Sequence, residues 1–297
     1  MDGGRVAIVG GTGVIGTELC DRLVRSGFDV RIASRKPPPV SSLDWRPLDL
    51  CGPVDQIEEA VAGVDAVIHL AARIPLDHDD PDEITRCWNV NVLGTRNLIV
   101  SLAKLGIRRL VLAGTANHYA SWIDVASEDS PIHPQGRVAY LASKAAQEWM
   151  AMALCHEYGL SCAVLRIASV YGGGTGAIDR IAQRLAHGET VTLAAKGAFG
   201  ADFVHVDDVA EGFRLTLRRD AEGIFNLSSG VRTDLAKVAR LLVATLGVDG
   251  DLVVLRDDGS SDSGFAAVSS AKLQALGFAP TALGDGLRLL ARRLGRV

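Results

Sequence analysis

No apolar run in this 297-residue chain approaches the roughly 20 residues that a membrane-crossing helix needs, so no membrane partner is expected. A surplus of one charge is also lacking: 31 Lys and Arg stand against 35 Asp and Glu, and the net charge of −4 offers a nucleic acid nothing. Arg218-Arg219-Asp220 and Arg292-Arg293 are too short to be tails and read as solvated helix faces. The five cysteines, at 20, 51, 87, 155 and 162, are odd in number and form no CxxC pair, which points to free thiols in a reducing cytoplasm. Cys155 and His156 are adjacent, so on a helix they diverge by about 100° and make a poor metal pair. Met1 to Arg5 lead into an apolar strand without the pattern of a secretory signal, again as a cytoplasmic protein would.

Apolar residues are plentiful, at 48% of the chain, and the length suits one large or two modest domains. Val6-Ala7-Ile8-Val9 runs into Gly10-Gly11-Thr12-Gly13-Val14-Ile15-Gly16, and the pattern turns helical from about Thr17. A buried strand, a tight turn and a helix start, in that order, suit a dinucleotide pyrophosphate. Gly10 and Gly13 leave room for backbone amides to approach phosphate, and Gly16 is expected to let the helix pack against the strand. The helix N-terminus adds about half a positive charge.

Strands near 30–33, 66–70, 109–112 and 162–167 then alternate with helices near 53–62, 95–105 and 140–158. Repeated β-α-β units with continuous apolar strands predict a parallel sheet covered on both faces. Beyond Tyr171-Gly172-Gly173-Gly174 the pattern changes to helices near 178–188, 210–217 and 235–246, with a strand near 224–227. The expected division is a dinucleotide-binding domain over 1–172 and a smaller lid over 173–201 and 228–297, with 202–227 partly returning to the sheet.

Tyr140 and Lys144 lie four apart on a predicted helix and share one face, with Cβ atoms about 6 Å apart. A phenol of ordinary pKa near 10 is a poor base at neutral pH. A nearby ammonium favours the phenolate, and bringing the pKa to about 7 takes roughly 4 kcal/mol. His205-Val206-Asp207-Asp208 carries metal-ligand residue types, yet strand alternation puts His205 and Asp207 on one face and leaves Asp208 to cap the next helix. No metal is therefore expected. Glu128 and Asp129 read as a solvent-exposed turn before Pro131.

These segments combine with others: Asp49-Leu50, His69-Leu70-Ala71-Ala72, Asn91-Val92-Leu93-Gly94-Thr95, Ala113-Gly114-Thr115, Leu165-Arg166, Val170-Tyr171-Gly172, 202–210 and Gly223-Ile224-Phe225-Asn226. In this order, over nearly the whole length, the chain resembles the extended short-chain dehydrogenase/reductases, the NAD-dependent epimerase/dehydratase family. The resemblance implies an α/β fold: a Rossmann-type doubly wound parallel sheet with a smaller C-terminal substrate-binding lid domain. It implies Tyr140 as acid/base at the substrate oxygen, Lys144 as the group that lowers its pKa and bonds the nicotinamide ribose, and Thr115 as the hydroxyl that aligns the reacting oxygen. It assigns cofactor binding to Gly10, Thr12, Gly13, Val14, Ile15 and Gly16 at the pyrophosphate and to Asp49 and Leu50 at the adenine. Leu70, Ala71, Ala72 and Ile167 would line the cofactor cleft, and Asn91 would either touch cofactor or cap the next helix.

Four departures carry information. Ser34-Arg35 ends the second strand where NAD-selective members place an acid, so NADP is favoured over NAD, with both residues at the ribose. Thr115-Ala116-Asn117 replaces the Thr-Asp-Glu of the 4,6-dehydratases, and neither Ala116 nor Asn117 can cycle a proton. Ser169 stands where sugar-nucleotide epimerases often have asparagine, and Asn117 and Ser169 are the candidate substrate contacts. Ala201 stands where those enzymes often grip the diphosphate with arginine, a role open to Arg180, Arg184 or Arg256.

The resulting expectation is an NAD(P)-dependent oxidoreductase that transfers hydride at a carbonyl/alcohol carbon, reducing a keto-sugar, nucleotide-linked or smaller. The alternatives are an NAD-dependent nucleotide-sugar epimerase and a sugar-acid or alcohol dehydrogenase. Against a cofactor-binding regulator without catalysis stand the intact Thr115, Tyr140 and Lys144. The resemblance also implies a homodimer through the helices near 95–105 and 140–158, where Trp149, Met150, Met152 and Ala153 supply apolar surface.

Overall fold

The computed structural model describes residues 3–39, 43–75, 77, 80–134, 138–259 and 264–296. The chain opens with β1 (Arg5–Val9), α1 (Val14–Arg25), β2 (Asp29–Ser34), β3 (Asp44–Pro47), α2 (Val54–Val61) and β4 (Ala66–His69). Next come α3 (Asp82–Cys87), α4 (Thr95–Leu105), β5 (Arg109–Thr115), β6 (Val125–Ala126), α5 (Val138–Tyr158) and β7 (Ser161–Ile167). They are followed by β8 (Ser169–Tyr171), α6 (Ala177–Ala186), β9 (Val191–Leu193), β10 (Gly200–His205) and α7 (Val206–Arg218). The remainder is β11 (Gly223–Leu227), β12 (Arg232–Asp234), α8 (Leu235–Leu246), β13 (Val253–Leu255), β14 (Ala267–Val268), α9 (Ala271–Gln274) and α10 (Leu283–Arg293).

Seven strands form one sheet in the order β11-β7-β5-β4-β1-β2-β3, every pair parallel. Strand periodicity divides β1 between two cores: Val6 and Ile8 pack with Leu19, Leu23 and Phe213, while Ala7 and Val9 pack with Ile57, Leu98 and Leu102. Helices thus cover both faces, as continuous apolar strands require. The strand order reverses between β1 and β4, and in such sheets the crevice beyond the strand ends at this point is where ligands bind.

A third apolar cluster joins Ile178 and Leu185 of α6, Val238 and Leu242 of α8, and Leu287 and Leu290 of α10. Beside it, β10 pairs parallel with β8 and antiparallel with β12 in a small sheet. The segment 202–227 is accordingly split: β10 belongs to that small sheet, whereas α7 packs on α1 and β11 forms the outer strand of the main sheet.

Helix α7 starts at Val206, four residues before the expected position, because the His205 ring caps it: Nδ1 accepts the Asp207 amide at 3.3 Å. Asp208 is not the cap. Its carboxylate accepts the amide and hydroxyl of Thr281, each at 2.8 Å, and so pins the chain ahead of α10. A π-helical stretch, Trp88–Gly94, joins α3 to α4 without a break, which the sequence pattern did not announce. At Gly94 a Cβ would lie 2.8 Å from the Leu50 Cβ, so glycine is what allows this helix to approach the loop after β3.

Candidate active site

The turn after β1 is shaped by what its glycines exclude. Gly10 has φ +87°, and a Cβ there would sit 2.6 Å from the Ala71 amide nitrogen, so this turn can lie directly against the segment after β4. Gly13 donates its amide to the Gly10 carbonyl at 3.1 Å and adopts the extended backbone of an N-cap, which starts α1 at Val14 rather than Thr17. The first-turn amides of Val14, Ile15 and Gly16 have no acceptor inside the helix. A Cβ at Gly13 would meet only the Gly10 carbonyl, at 3.4 Å, so the space in front of those amides stays open, as a pyrophosphate requires. At Gly16 a Cβ would lie 2.6 Å from the Gly11 backbone; this glycine brings the helix against the turn, not against the strand as expected.

A cleft of about 1040 Å³ runs from this turn along the strand ends. It is lined by Gly10, Thr12, Gly13, Val14, Ile15, Gly16, Ser34, Arg35, Asp49, Leu50, Leu70, Ala71, Ala72 and Ile167, and by Thr115, Asn117, Tyr140, Lys144 and Ser169. Ser34 lines the cleft with its hydroxyl already committed: Oγ donates to the Lys36 carbonyl at 2.7 Å and accepts the Trp45 indole at 3.2 Å. It shapes the loop that presents the exposed Arg35 and Lys36.

At the opposite end, β5 delivers Thr115 and α5 delivers Tyr140 and Lys144. The Thr115 hydroxyl oxygen accepts the Asn117 amide at 3.3 Å, which leaves its hydrogen for another acceptor. The Lys144 ammonium donates to the Ala113 carbonyl at 2.7 Å and to Oε1 of Gln147. Gln147 is fully buried and donates in turn to Thr95 Oγ1 at 2.7 Å. That hydroxyl gives its only hydrogen to the Asn91 carbonyl, so it must also accept from His69 Nε2, 2.8 Å away. The His69 tautomer is thereby set with the proton on Nε2, and burial, with Lys144 adding to it, holds its pKa down to about 3.

Burial pushes the Tyr140 phenol up to about 12 and the Lys144 ammonium down to about 8, the latter opposed by Glu148. This departs from the expectation that Lys144 lowers the tyrosine pKa. In the arrangement observed, the ammonium donates to the neutral Ala113 carbonyl and Gln147 amide and keeps its charge, while desolvation dominates at the phenol.

Asn91 is absent from the cleft wall and caps no helix, since α3 and α4 are continuous through it. Its Oδ1 accepts the Arg73 amide at 2.7 Å, and its Nδ2 donates to the Arg73 carbonyl and to Ser143 Oγ at 3.1 and 2.9 Å. It braces the site from behind. Arg180, Arg184 and Arg256 do not line the cleft. Arg180 is turned to the Thr175 carbonyl, and Arg184 to Glu189 and the Thr190 carbonyl. Glu128 is no free surface acid: Oε1 accepts the Asn226 amide at 2.8 Å, and its own carbonyl accepts Arg166.

Sequence reasoning passed over three features. Gln147, only three residues beyond Lys144, was legible as a polar neighbour on the same helix. Arg73, directly after Ala72, lines the cleft. The Asp179 carboxylate accepts the amides of Gly172, Gly174 and Gly176 at 2.8 to 3.1 Å and closes the start of α6 to other anions.

A model of the NAD dependent epimerase/dehydratase family matches residues 6–228. A dTDP-glucose 4,6-dehydratase of Streptomyces griseus is 30% identical over 240 residues, 76% of this chain and 70% of the relative. The Thermus thermophilus UDP-glucose 4-epimerase in complex with NAD is similar in structure, with a TM-score of 0.85 at 27% identity over 99% of this chain and 100% of the other. MoeE5 in complex with UDP-glucuronic acid and NAD gives 0.86 at 27% identity, over 98% of this chain and 100% of the other.

Proposed function

We propose, from the premise that this chain belongs to the NAD dependent epimerase/dehydratase family, that it transfers hydride at a hydroxyl- or carbonyl-bearing sugar carbon with Tyr140 moving the proton. What carries the reading is the meeting of Thr115, Tyr140 and Lys144 in the same cleft as the glycine turn and the start of α1. A nicotinamide dinucleotide, when bound, supplies and recovers the hydride. Gly13 to Gly16 would hold its pyrophosphate, and Arg35, Asp49 and Leu50 its adenosine. Thr115, with its hydrogen free, donates to the substrate oxygen, and Tyr140 protonates or deprotonates that oxygen. Lys144 keeps one N–H beyond those given to Ala113 and Gln147, and this serves a ribose hydroxyl.

The first reading of the net reaction is a redox-neutral epimerisation at a sugar carbon, as the epimerase relatives support, with NAD retained. The second is net ketoreduction with NADPH. It is favoured by the end of β2, where no carboxylate stands and Arg35 and Lys36 line the cleft. Dehydration of the 4,6 type, the activity named for the Streptomyces griseus relative, is opposed by the residues here, because Ala116 is apolar and buried and Asn117 cannot cycle a proton. Epimerisation predicts formation of the epimer, followed by NMR, without net consumption of cofactor. Ketoreduction predicts stoichiometric loss of NADPH, and Arg35→Ala should then raise KM for NADPH about tenfold or more and leave NADH untouched. Equal effects on both dinucleotides would remove the second reading.

The lid proposed is 173–201 with 228–297, whose helices build their own core. A homodimer is supported by Ile84, Trp88, Leu93 and Trp149, all exposed on α3, the π-helical stretch and α5. Light scattering at micromolar concentration should give twice the chain mass, and a monomer would end that proposal. No described helix is long and apolar enough to cross a membrane. The five free cysteines support a reducing, cytoplasmic setting.

A further inference from the structure

Arg73 lies in the cleft wall immediately after Ala71 and Ala72. Asn91 clamps its backbone on both sides and also bonds Ser143, whose hydroxyl donates to the Tyr140 carbonyl at 2.7 Å. The arginine is therefore held at the reaction end of the cleft. Its side chain is fixed just as firmly. Nε donates to Glu83 Oε2 at 2.9 Å and Nη2 donates to Oε1 of the same carboxylate, which is buried.

This side-on pairing engages one edge of the guanidinium and leaves the other, with Nη1, taken by no described residue. The side chain remains 33% exposed. Glu83 also accepts Arg86 Nη1 at 3.0 Å, so Arg73 is not its sole counter-charge. A guanidinium braced from behind by a buried carboxylate presents a fixed pair of donors in front, the geometry that matches a carboxylate or phosphate. Two other places on the substrate side are closed to an anion: Asp179 occupies the amides before α6, and position 201 is a buried alanine.

We propose that Arg73 binds an anionic oxygen group of the substrate, a carboxylate or a phosphate, and so selects an acidic or phosphorylated sugar over a neutral one. For the reaction this rests on the function proposed above; for the binding it does not. The test compares wild type with Arg73→Met and Arg73→Lys, using a hexuronate, a hexose phosphate and the neutral hexose, each alone and as the nucleotide-linked sugar.

Wild type is expected to prefer one anionic form by about tenfold or more in kcat/KM. Arg73→Met should abolish the preference through KM, with a smaller loss for the free neutral hexose than for the anionic sugars, and Arg73→Lys should restore part of it. Whether the carboxylate or the phosphate shows the larger effect identifies the group bound. Equal losses for the free neutral hexose and the anionic sugars would mark Arg73 as merely structural and overturn the proposal, as would a wild type without preference. If no sugar turns over, the melting temperature still decides. A rise with the anionic probe in wild type that is absent in Arg73→Met sustains the site while the reaction proposed above falls, and no rise overturns the site as well.

Discussion

Tyr140→Phe is expected to slow turnover by about 10²- to 10⁴-fold while dinucleotide affinity, measured by fluorescence titration, stays within a few-fold. The substitution removes one hydroxyl and keeps the ring, so the packing of α5 is little disturbed. The size of the effect follows from the state of the phenol. Burial holds it near 12, so at neutral pH it is a proton donor, which suits the reductive direction. In the oxidative direction it must first lose that proton, and the positive charge available to favour the phenolate is the Lys144 ammonium. That group is bound to Ala113 and Gln147 and its own pKa is depressed to about 8. The oxidative rate should therefore climb with pH where the reductive rate does not. Near-wild-type turnover in Tyr140→Phe would refute the role given to this residue.

Glu148→Leu is expected to cost about 3–5 kcal/mol of stability, read as a shift in the urea midpoint. Glu148 is 1% exposed and Arg166 3%, and the guanidinium Nε lies 3.1 Å from both carboxylate oxygens. Nη1 of Arg166 reaches the Tyr119 hydroxyl at 2.7 Å and the Glu128 carbonyl at 2.8 Å, and Tyr119 donates onward to Asn226 Oδ1 at 2.7 Å. Removing the carboxylate strands a buried guanidinium among these neutral partners. Changing both residues, Glu148→Leu with Arg166→Met, removes the charge as well as its partner and should recover much of the loss. If the single variant is as stable as wild type, the pair contributes nothing to the fold.

Much of the site was legible because its signals are local. Alternation along β1, the glycines after it and the four-residue spacing of Tyr140 and Lys144 each depend on residues a few positions apart, whose geometry follows from strand and helix periods. What escaped was decided by residues far apart in sequence. Asn91 was expected at the cofactor or at a helix cap, but it bonds Arg73 and Ser143, 18 and 52 residues away. Glu128, expected in solvent, accepts an amide 98 residues away, and Asp208 holds Thr281 at a distance of 73.

By itself, then, the sequence determined the parallel sheet, the glycine turn at the start of α1 and the face that unites Tyr140 with Lys144, because each is a consequence of short-range backbone geometry. Only the tertiary structure decided where the charges rest: Lys144 on the Ala113 carbonyl, Arg166 on Glu148, and Arg73 braced by Glu83 with one edge taken by no described residue. A buried charge must find its partner wherever the fold brings one within reach, and no sequence period encodes that meeting.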